Sequence, residues 1–371
     1  MLQETPIFEC PIRGIDLGSV GNAIGGASTA PVIKGHISGT ATTFTFQVNG
    51  SDETVAVSNG NFKFKPADTL TGLAFVGVPE LETLELANIE GLSTLDVDYP
   101  TAVTFKKCDA TTENSLVYVY HIRGTATADF TFTLKYIDES DNVTSVTESA
   151  VIDGNGKWDV SYSGKKIYGM AGTFYANNYI KTIEFTDILD ELCELNDSGE
   201  FSSRGTFHQS TGLSVYNLTS IKFARGTKFD KVPKLSNTFR RCKSLIELDI
   251  QDATFNSNTI FGDTFDECSS LVTLNLSKIL SFKEGLLDGC TSLSTIYLPQ
   301  DQSWQTEISF KDNPLSYDSM LHVAGWLKNL SGGSAKTVTF KQSTYEALTA
   351  EQQAALTAII VTEKGWNLAT A

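Results

Sequence analysis

Basic charge is scarce in this chain. Lysine and arginine number 28 against 44 aspartates and glutamates, a formal charge of -16 over 371 residues. Binding of phosphate backbones depends on basic groups that release counterions, so nucleic acid and anionic membrane are disfavoured as partners. Histidine is scarcer still, with four residues in all. No apolar run approaches the about 18 residues that would mark a transmembrane helix. The six cysteines, Cys10, Cys108, Cys193, Cys242, Cys268 and Cys290, contain no CxxC pair, which excludes the common zinc and redox motifs. A chain with room for two to three domains of about 150 residues does not need disulfides to hold a core. GxSxG and HExxH are both absent, and Gly25-Gly26 is not followed by a phosphate-loop lysine. Met1 to Ile12 places Glu4 and Glu9 where a secretory signal carries Lys or Arg before an apolar stretch, so these residues predict no export signal.

What is present points to β-structure and turns. Charged residues make up 19%, below the roughly 25% of an average soluble domain, while 29 glycines accompany abundant Thr and Ser. Between Phe239 and Pro299 three segments share the template FxxCxSLxxLxL: FRRCKSLIELDI, FDECSSLVTLNL and LLDGCTSLSTIYLP. Its first position is Phe239, Phe265 and Leu287, its cysteine is Cys242, Cys268 and Cys290, and its strand core is Leu245/Leu248/Ile250, Leu271/Leu274/Leu276 and Leu293/Ile296/Leu298. The cysteines lie 26 and 22 residues apart, a spacing of one leucine-rich coil, about 20 to 29 residues. YIKTIEF (Ile180, Ile183, Phe185) and LTSIKF (Leu218, Ile221, Phe223) keep the LxxLxL core and start the array near residue 170.

These residues resemble the leucine-rich repeats of BspA-like proteins, where an aromatic, a small or Cys position and SLxxIxLP recur in each coil. The resemblance implies a solenoid whose coils cover one another's apolar edges and whose ends are capped. After Asn313-Pro314-Leu315, the run Ser316 to Leu330 has helical spacing, KTVTF (Lys336 to Phe340) reads as a last strand, Thr349 with Gln352 opens a helix to about Val361, and KGWNL closes the chain. That arrangement is similar to the terminal module of phage and prophage structural proteins.

A second repeat lies upstream. HISGTAT (His36 to Thr42) and HIRGTAT (His121 to Thr127) stand 85 residues apart, each before an FTF segment, Phe44 to Phe46 and Phe130 to Phe132. Asn61-Phe62 then parallels Lys157-Trp158, and PELETLEL parallels YIKTIEF 99 residues later. Alternating polarity around Asn49-Gly50 and Asn59-Gly60 predicts antiparallel hairpins. The longer hairpin of the second copy spans Leu134 to Ile152. Met1 to Ile33, with Pro6, Pro11, Pro31 and a Gly/Ala/Ser tract, reads as an extended arm.

The expected fold class is mainly β with α/β repeats: two duplicated small antiparallel, Ig-like β-modules, then a leucine-rich-repeat solenoid with a helical C-terminal cap. The expected divisions are 1–33 arm, 34–110 first module with short repeat strands, 111–168 second module, 169–312 repeats and 313–371 cap. His36 and His121 are read as equivalent positions of the duplication, and His208 and His322 lack a ligand pattern. The cysteine column is assigned to packing, as are Trp158 and Trp366. Asp187 to Glu194 (DILDELCE) is read as a solvated helix or loop face. The site residues are therefore the repeat core, Phe239, Cys242, Leu245, Leu248, Phe265, Cys268, Leu271, Leu274, Cys290, Leu293, Ile296 and Leu298, with Trp304 on a loop as a ligand platform. No catalytic residue, cofactor or metal is assigned.

The expected function is non-enzymatic: a phage virion component of the capsid-decoration, head-fibre or tail-associated kind. It would attach to a capsid or other virion protein through residues 1–33, self-associate, and present binding modules to a host surface protein or glycan without membrane insertion. The competing reading is an exported BspA-like cell-surface adhesin binding host glycoprotein or glycan.

Overall fold

The computed structural model describes residues 30–67, 69–75, 81–97, 101–109, 112, 116–195, 205–209, 217–224, 226–250, 253–256, 259–279, 286–301 and 303–371. Most of the expected N-terminal arm, with Cys10 and Gly25-Gly26, lies outside the described residues. The fold is mainly β, with short helices towards the C-terminus, and no sheet among the described residues closes into a barrel. No described helix is long and apolar enough to cross a membrane. The chain falls into two compact units: the described residues up to Tyr120 together with Ser161–Gly164, and His121–Val160 together with Lys165–Ala371.

In the first unit Thr43–Val48 pairs antiparallel with Ser51–Ser58, which turns into Asn61–Phe64. Both turns are Asn-Gly pairs with positive φ at both residues, 51° and 79° at Asn49-Gly50 and 51° and 77° at Asn59-Gly60. That is the type I′ geometry whose twist suits a two-residue hairpin. The inward residues of these strands are aromatic: Phe46 stacks on Phe75 at 4.8 Å, and Phe44 meets Phe62 edge-on at 4.8 Å. Val32–Ile37 lies between Asn61–Phe64 and Leu81–Ala87, antiparallel to both.

Beyond these hairpins the same unit changes to parallel pairing. Gly72–Ala74, Thr94–Asp96 and the start of Val117–Ala126 form one ladder, with Leu73 opposite Leu95 and Leu95 opposite Tyr118. Leu81–Ala87 and Ala102–Lys106 form another, with Leu84 opposite Val103. Leu70, Leu73 and Phe75 (LTGLAF) are thus the first parallel member of this unit, ahead of the copy at Leu81.

The second unit opens with a three-stranded antiparallel sheet: Phe130–Asp138 between Val143–Ala150 and Lys165–Gly169. Phe130, Phe132, Leu134 and Tyr136 are buried, while Thr131 and Thr133 face out, the period of two expected of a half-buried strand. Residues 122–126 pair antiparallel with Ile180–Phe185. From there Ile180–Phe185, Ser220–Lys222 and Glu247–Asp249 run parallel in register, and Thr273–Asn275 pairs in the same sense with Thr295–Tyr297.

Behind this ladder stands a column of rings. Phe174, Phe207, Phe239 and Phe265 stack at 5.5, 5.4 and 5.4 Å, with ring planes nearly parallel at each step. A column of thiols runs beside it: Cys242, Cys268 and Cys290 donate to the carbonyls of Phe207, Phe239 and Phe265 at 3.1, 3.0 and 3.1 Å. Thr206, Thr238 and Thr264, each just before its phenylalanine, are fully buried.

The strand register revises the alignment of the two duplicated modules. Ile33, Lys34 and Gly35 pair with Leu86, Glu85 and Leu84, whereas Ile122, Arg123 and Gly124 pair with Phe185, Glu184 and Ile183. Equivalence therefore runs through Ile33-Lys34-Gly35 and Ile122-Arg123-Gly124, and His36 corresponds to Thr125 rather than to His121. Each glycine admits a close strand crossing: a Cβ would lie 2.3 Å from the Thr83 carbonyl oxygen at Gly35 and 1.9 Å from that of Thr182 at Gly124. Phe62 lies against the first and Trp158 against the second.

Helix Tyr317–Trp326 is N-capped by Ser316, and helix Ala350–Thr357 carries the Thr349/Gln352 capping box before a π-turn at Ala358–Glu363. Ile308–Phe310, Thr337–Phe340 and Asn367–Thr370 form a three-stranded parallel sheet. The segment after Gly365 is thus a strand rather than only a closing loop.

Candidate binding groove

The residues assigned to the repeat core, from Phe239 to Leu298, are all buried. Burial pushes the Cys290 thiol well above its ordinary range, and Cys268 likewise, so neither supplies a thiolate near neutral pH. Trp304 is half-buried and stacks on the buried Trp326 at 4.7 Å, which leaves it at most one ring face for a ligand.

The acidic run DILDELCE departs from its expected solvated face. Asp187 is 1% exposed, and Ile188, Leu189 and Leu192 are buried beside it. The run forms no helix: Asp187, Ile188 and Leu189 are buried in succession, and three lysines from other segments meet its carboxylates, Lys166 on Asp187 at 2.9 Å, Lys231 on Glu191, and Lys135 on Glu194 at 2.5 Å.

The histidines stand in different surroundings. The His121 ring is buried, with Nδ1 2.6 Å from Asp159 Oδ1, whereas the His36 ring is partly exposed, with Nδ1 3.3 Å from Asn61 Oδ1. His208 is buried edge-on to Tyr175, and His322 meets Tyr297. Among the described residues no group of three or more His, Cys, Asp or Glu is placed to share a metal ion.

A concavity lies in the second unit, on the outer face of the Phe130–Asp138 sheet. It has a volume of about 570 Å³ and is lined by Thr131, Phe132, Thr133, Lys135 and Ser145 on one side and by Gly169, Ala171, Gly172 and Thr173 on the other, with Glu194 beside them. The register sets Thr131 opposite Ser149, Thr133 opposite Thr147 and Lys135 opposite Ser145. This face therefore presents five hydroxyls and one ammonium in two facing rows. Thr133 and Thr147 hydroxyls lie 3.1 Å apart, and Thr173 donates to the Thr133 carbonyl at 2.7 Å, fixing the upper wall. Glycine at 169 matters here: its absent Cβ would lie 3.1 Å from Glu194 Cβ, so a side chain would crowd the carboxylate that reaches Lys135.

The sequence signals the floor of this groove only as alternation in FTFTLKY. Its upper wall and Glu194 come from segments separated by tens of residues, and no local motif joins them. A smaller concavity of about 310 Å³ lies in the first unit, bordered by Lys34, Asn61, Thr83, Glu85 and Thr104. No known protein family, no curated protein and no solved structure matches this chain.

Proposed function

We propose that the chain is a non-enzymatic display scaffold of a bacteriophage virion, a capsid-decoration, head-fibre or tail-associated protein. In this reading BspA-like leucine-rich repeats with a helical cap stand behind two small Ig-like modules. The observation that carries it is the paired column of stacked phenylalanines and buried thiols along the parallel strands. Such a column commits the recurring residues to covering the next coil, so that variable outward residues remain for recognition. Support for the virion setting comes from the closing module, PLSYDSM, KTVTF and KGWNL, whose likeness to phage structural proteins covers residues 313–371. Attachment through residues 1–33 and self-association belong to the same reading.

Mass spectrometry of purified particles from the phage or prophage encoding this chain tests it. The polypeptide is expected in the particle at reproducible stoichiometry. Recovery in the host cell envelope and absence from particles would replace this reading with the adhesin.

A further inference from the structure

We infer that the groove over the Phe130–Asp138 sheet is a binding site for a neutral oligosaccharide. The inference goes beyond the virion reading, because it concerns the isolated chain wherever that chain resides. Three properties of the groove select this ligand class. Its volume, about 570 Å³, falls in the range of small-ligand sites, about 300 to 1,000 Å³. Its lining is hydroxyl-rich: Thr131, Thr133 and Ser145 border it with hydroxyls that can donate or accept, and Thr173, whose hydrogen goes to the Thr133 carbonyl, can accept. A sugar ring offers the same mixed donor and acceptor pattern.

Among the described residues the charged groups lining it are Lys135 and Glu194, which neutralise each other at 2.5 Å. A protein carrying -16 repels acidic glycans at long range, and among the described residues the groove's one lining cation, Lys135, is already paired with Glu194. An apolar ligand finds little purchase, because Phe130, Leu134 and Tyr136 are buried and Phe132, which borders the groove, is 3% exposed. Within the groove, Lys135 would donate to ring or hydroxyl oxygens and Glu194 would accept from a hydroxyl pair, each retaining its partner. Gly169 and Gly172 keep the upper wall thin enough for a ring to lie over the threonine row.

Saturation-transfer difference NMR on the full chain with lactose, maltotriose, cellotriose and diacetylchitobiose is the direct experiment. Sialyllactose and an alternating Ser-Gly peptide serve as comparators. We expect transfer to at least one neutral sugar, lost when Ser145→Trp fills the groove from an exposed strand position. Thr131→Trp fills the other end and keeps the test decisive if the first variant fails to fold. On the unaltered protein, hydrogen exchange at residues 169–173 should slow when the sugar is added. Absence of transfer to every neutral sugar, transfer that persists in both filled variants, or stronger transfer to sialyllactose or to the peptide would each overturn the assignment.

Discussion

Truncating Phe239 should remove the centre of the ring column. The ring is 3% exposed and stacks 5.4 Å from Phe207 on one side and 5.4 Å from Phe265 on the other. Phe→Ala in a packed core costs about 3–5 kcal/mol, and each aromatic pair adds about 0.5–1.5 kcal/mol beyond area. Two neighbours are left facing a void that only side-chain shifts can fill, so the cost for Phe239→Ala falls at the upper end, about 5 kcal/mol. With a urea slope of about 2 kcal/mol/M, the midpoint of the second unit's transition drops by about 2.5 M. Phe239→Leu should cost far less, about 1–2 kcal/mol, because Leu287 already fills this template position one coil after Phe265. Hydrogen exchange should accelerate in Ser220–Lys222 and Thr273–Asn275 in the alanine variant and remain unchanged in Leu81–Ala87 of the first unit. Equal costs for the two substitutions, or an alanine cost below about 1 kcal/mol, would refute the idea that the rings bear on one another.

Gly124→Ala places a Cβ 1.9 Å from the Thr182 carbonyl oxygen and should cost about 3 kcal/mol or more in thermal or urea unfolding. Gly50→Ala, with open space around it but φ of +79°, should cost about 1–2 kcal/mol. Hydrogen bonds from Lys106 and then Lys34 hold the Glu85 carboxyl below its ordinary 4.5. Its folded-state pKa is depressed, so its contribution is complete above about 4.5 and lost as pH falls through the lower folded value. Glu85→Gln should flatten this part of the acid limb in a stability profile between pH 5 and 2. Lys364 donates from a nearly buried ammonium to the carbonyls of Gly325 and Leu327 at 3.1 and 2.5 Å, and burial lowers its pKa. Lys364→Met strands both carbonyls and should cost about 1–3 kcal/mol by urea titration. Alkylation followed by mass spectrometry should modify Cys242, Cys268 and Cys290 only at the rate of global unfolding, since all three are buried. Prompt labelling of any of them in native buffer would contradict that burial.

Legibility in the sequence followed the locality of each feature. The Asn-Gly hairpins, the Thr349/Gln352 capping box and the helix after Ser316 depend on neighbours within a few residues, and all three stand where the pattern places them. The template around Cys242, Cys268 and Cys290 was legible because each coil repeats its own core. Two earlier ring-column members were missed. Phe174 keeps the template's spacing to Ile180 but has Asn177 at the cysteine position, whereas Phe207 stands farther from Leu218 than a fixed-length template reaches. A shorter signal was available in Gly172-Thr173-Phe174, Gly205-Thr206-Phe207, Asn237-Thr238-Phe239 and Asp263-Thr264-Phe265. The His36/His121 alignment failed for another reason. Identical letters, HI-GTAT, lay four residues out of the register that matters, while the physical constraint fell on Ile-Lys-Gly and Ile-Arg-Gly. There the glycine must clear a carbonyl, and Lys34 and Arg123 meet Glu85 and Glu184 at 3.0 and 2.8 Å. The candidate groove was least legible, because its floor, wall and glutamate meet only through tertiary structure.

How the parallel ladder ends explains why the closing module belongs to the same architecture. A parallel strand at the end of a stack leaves backbone donors and acceptors that would pair with another chain. At Thr295–Tyr297 the next strand is replaced by helix Tyr317–Trp326, and side chains take over the backbone's work. Ser319 Oγ accepts from Ile296 N at 3.1 Å and donates to the Ser294 carbonyl at 2.9 Å, so one hydroxyl stands in for a neighbouring peptide. Asn313 continues the thiol column in the same spirit. Its Nδ2 donates to the Leu287 carbonyl at 3.1 Å, as Cys290 does to that of Phe265, and also to the Cys290 carbonyl at 3.1 Å. The amide is longer than a thiol and carries two hydrogens, so it satisfies both carbonyls at the end of the parallel strands. The helix then buries Met320, Val323 and Ala324, covering apolar surface that a further coil would otherwise have to cover. The parallel strands thus end with Asn313 where a thiol stands in the earlier segments and a capped helix where a strand would pair.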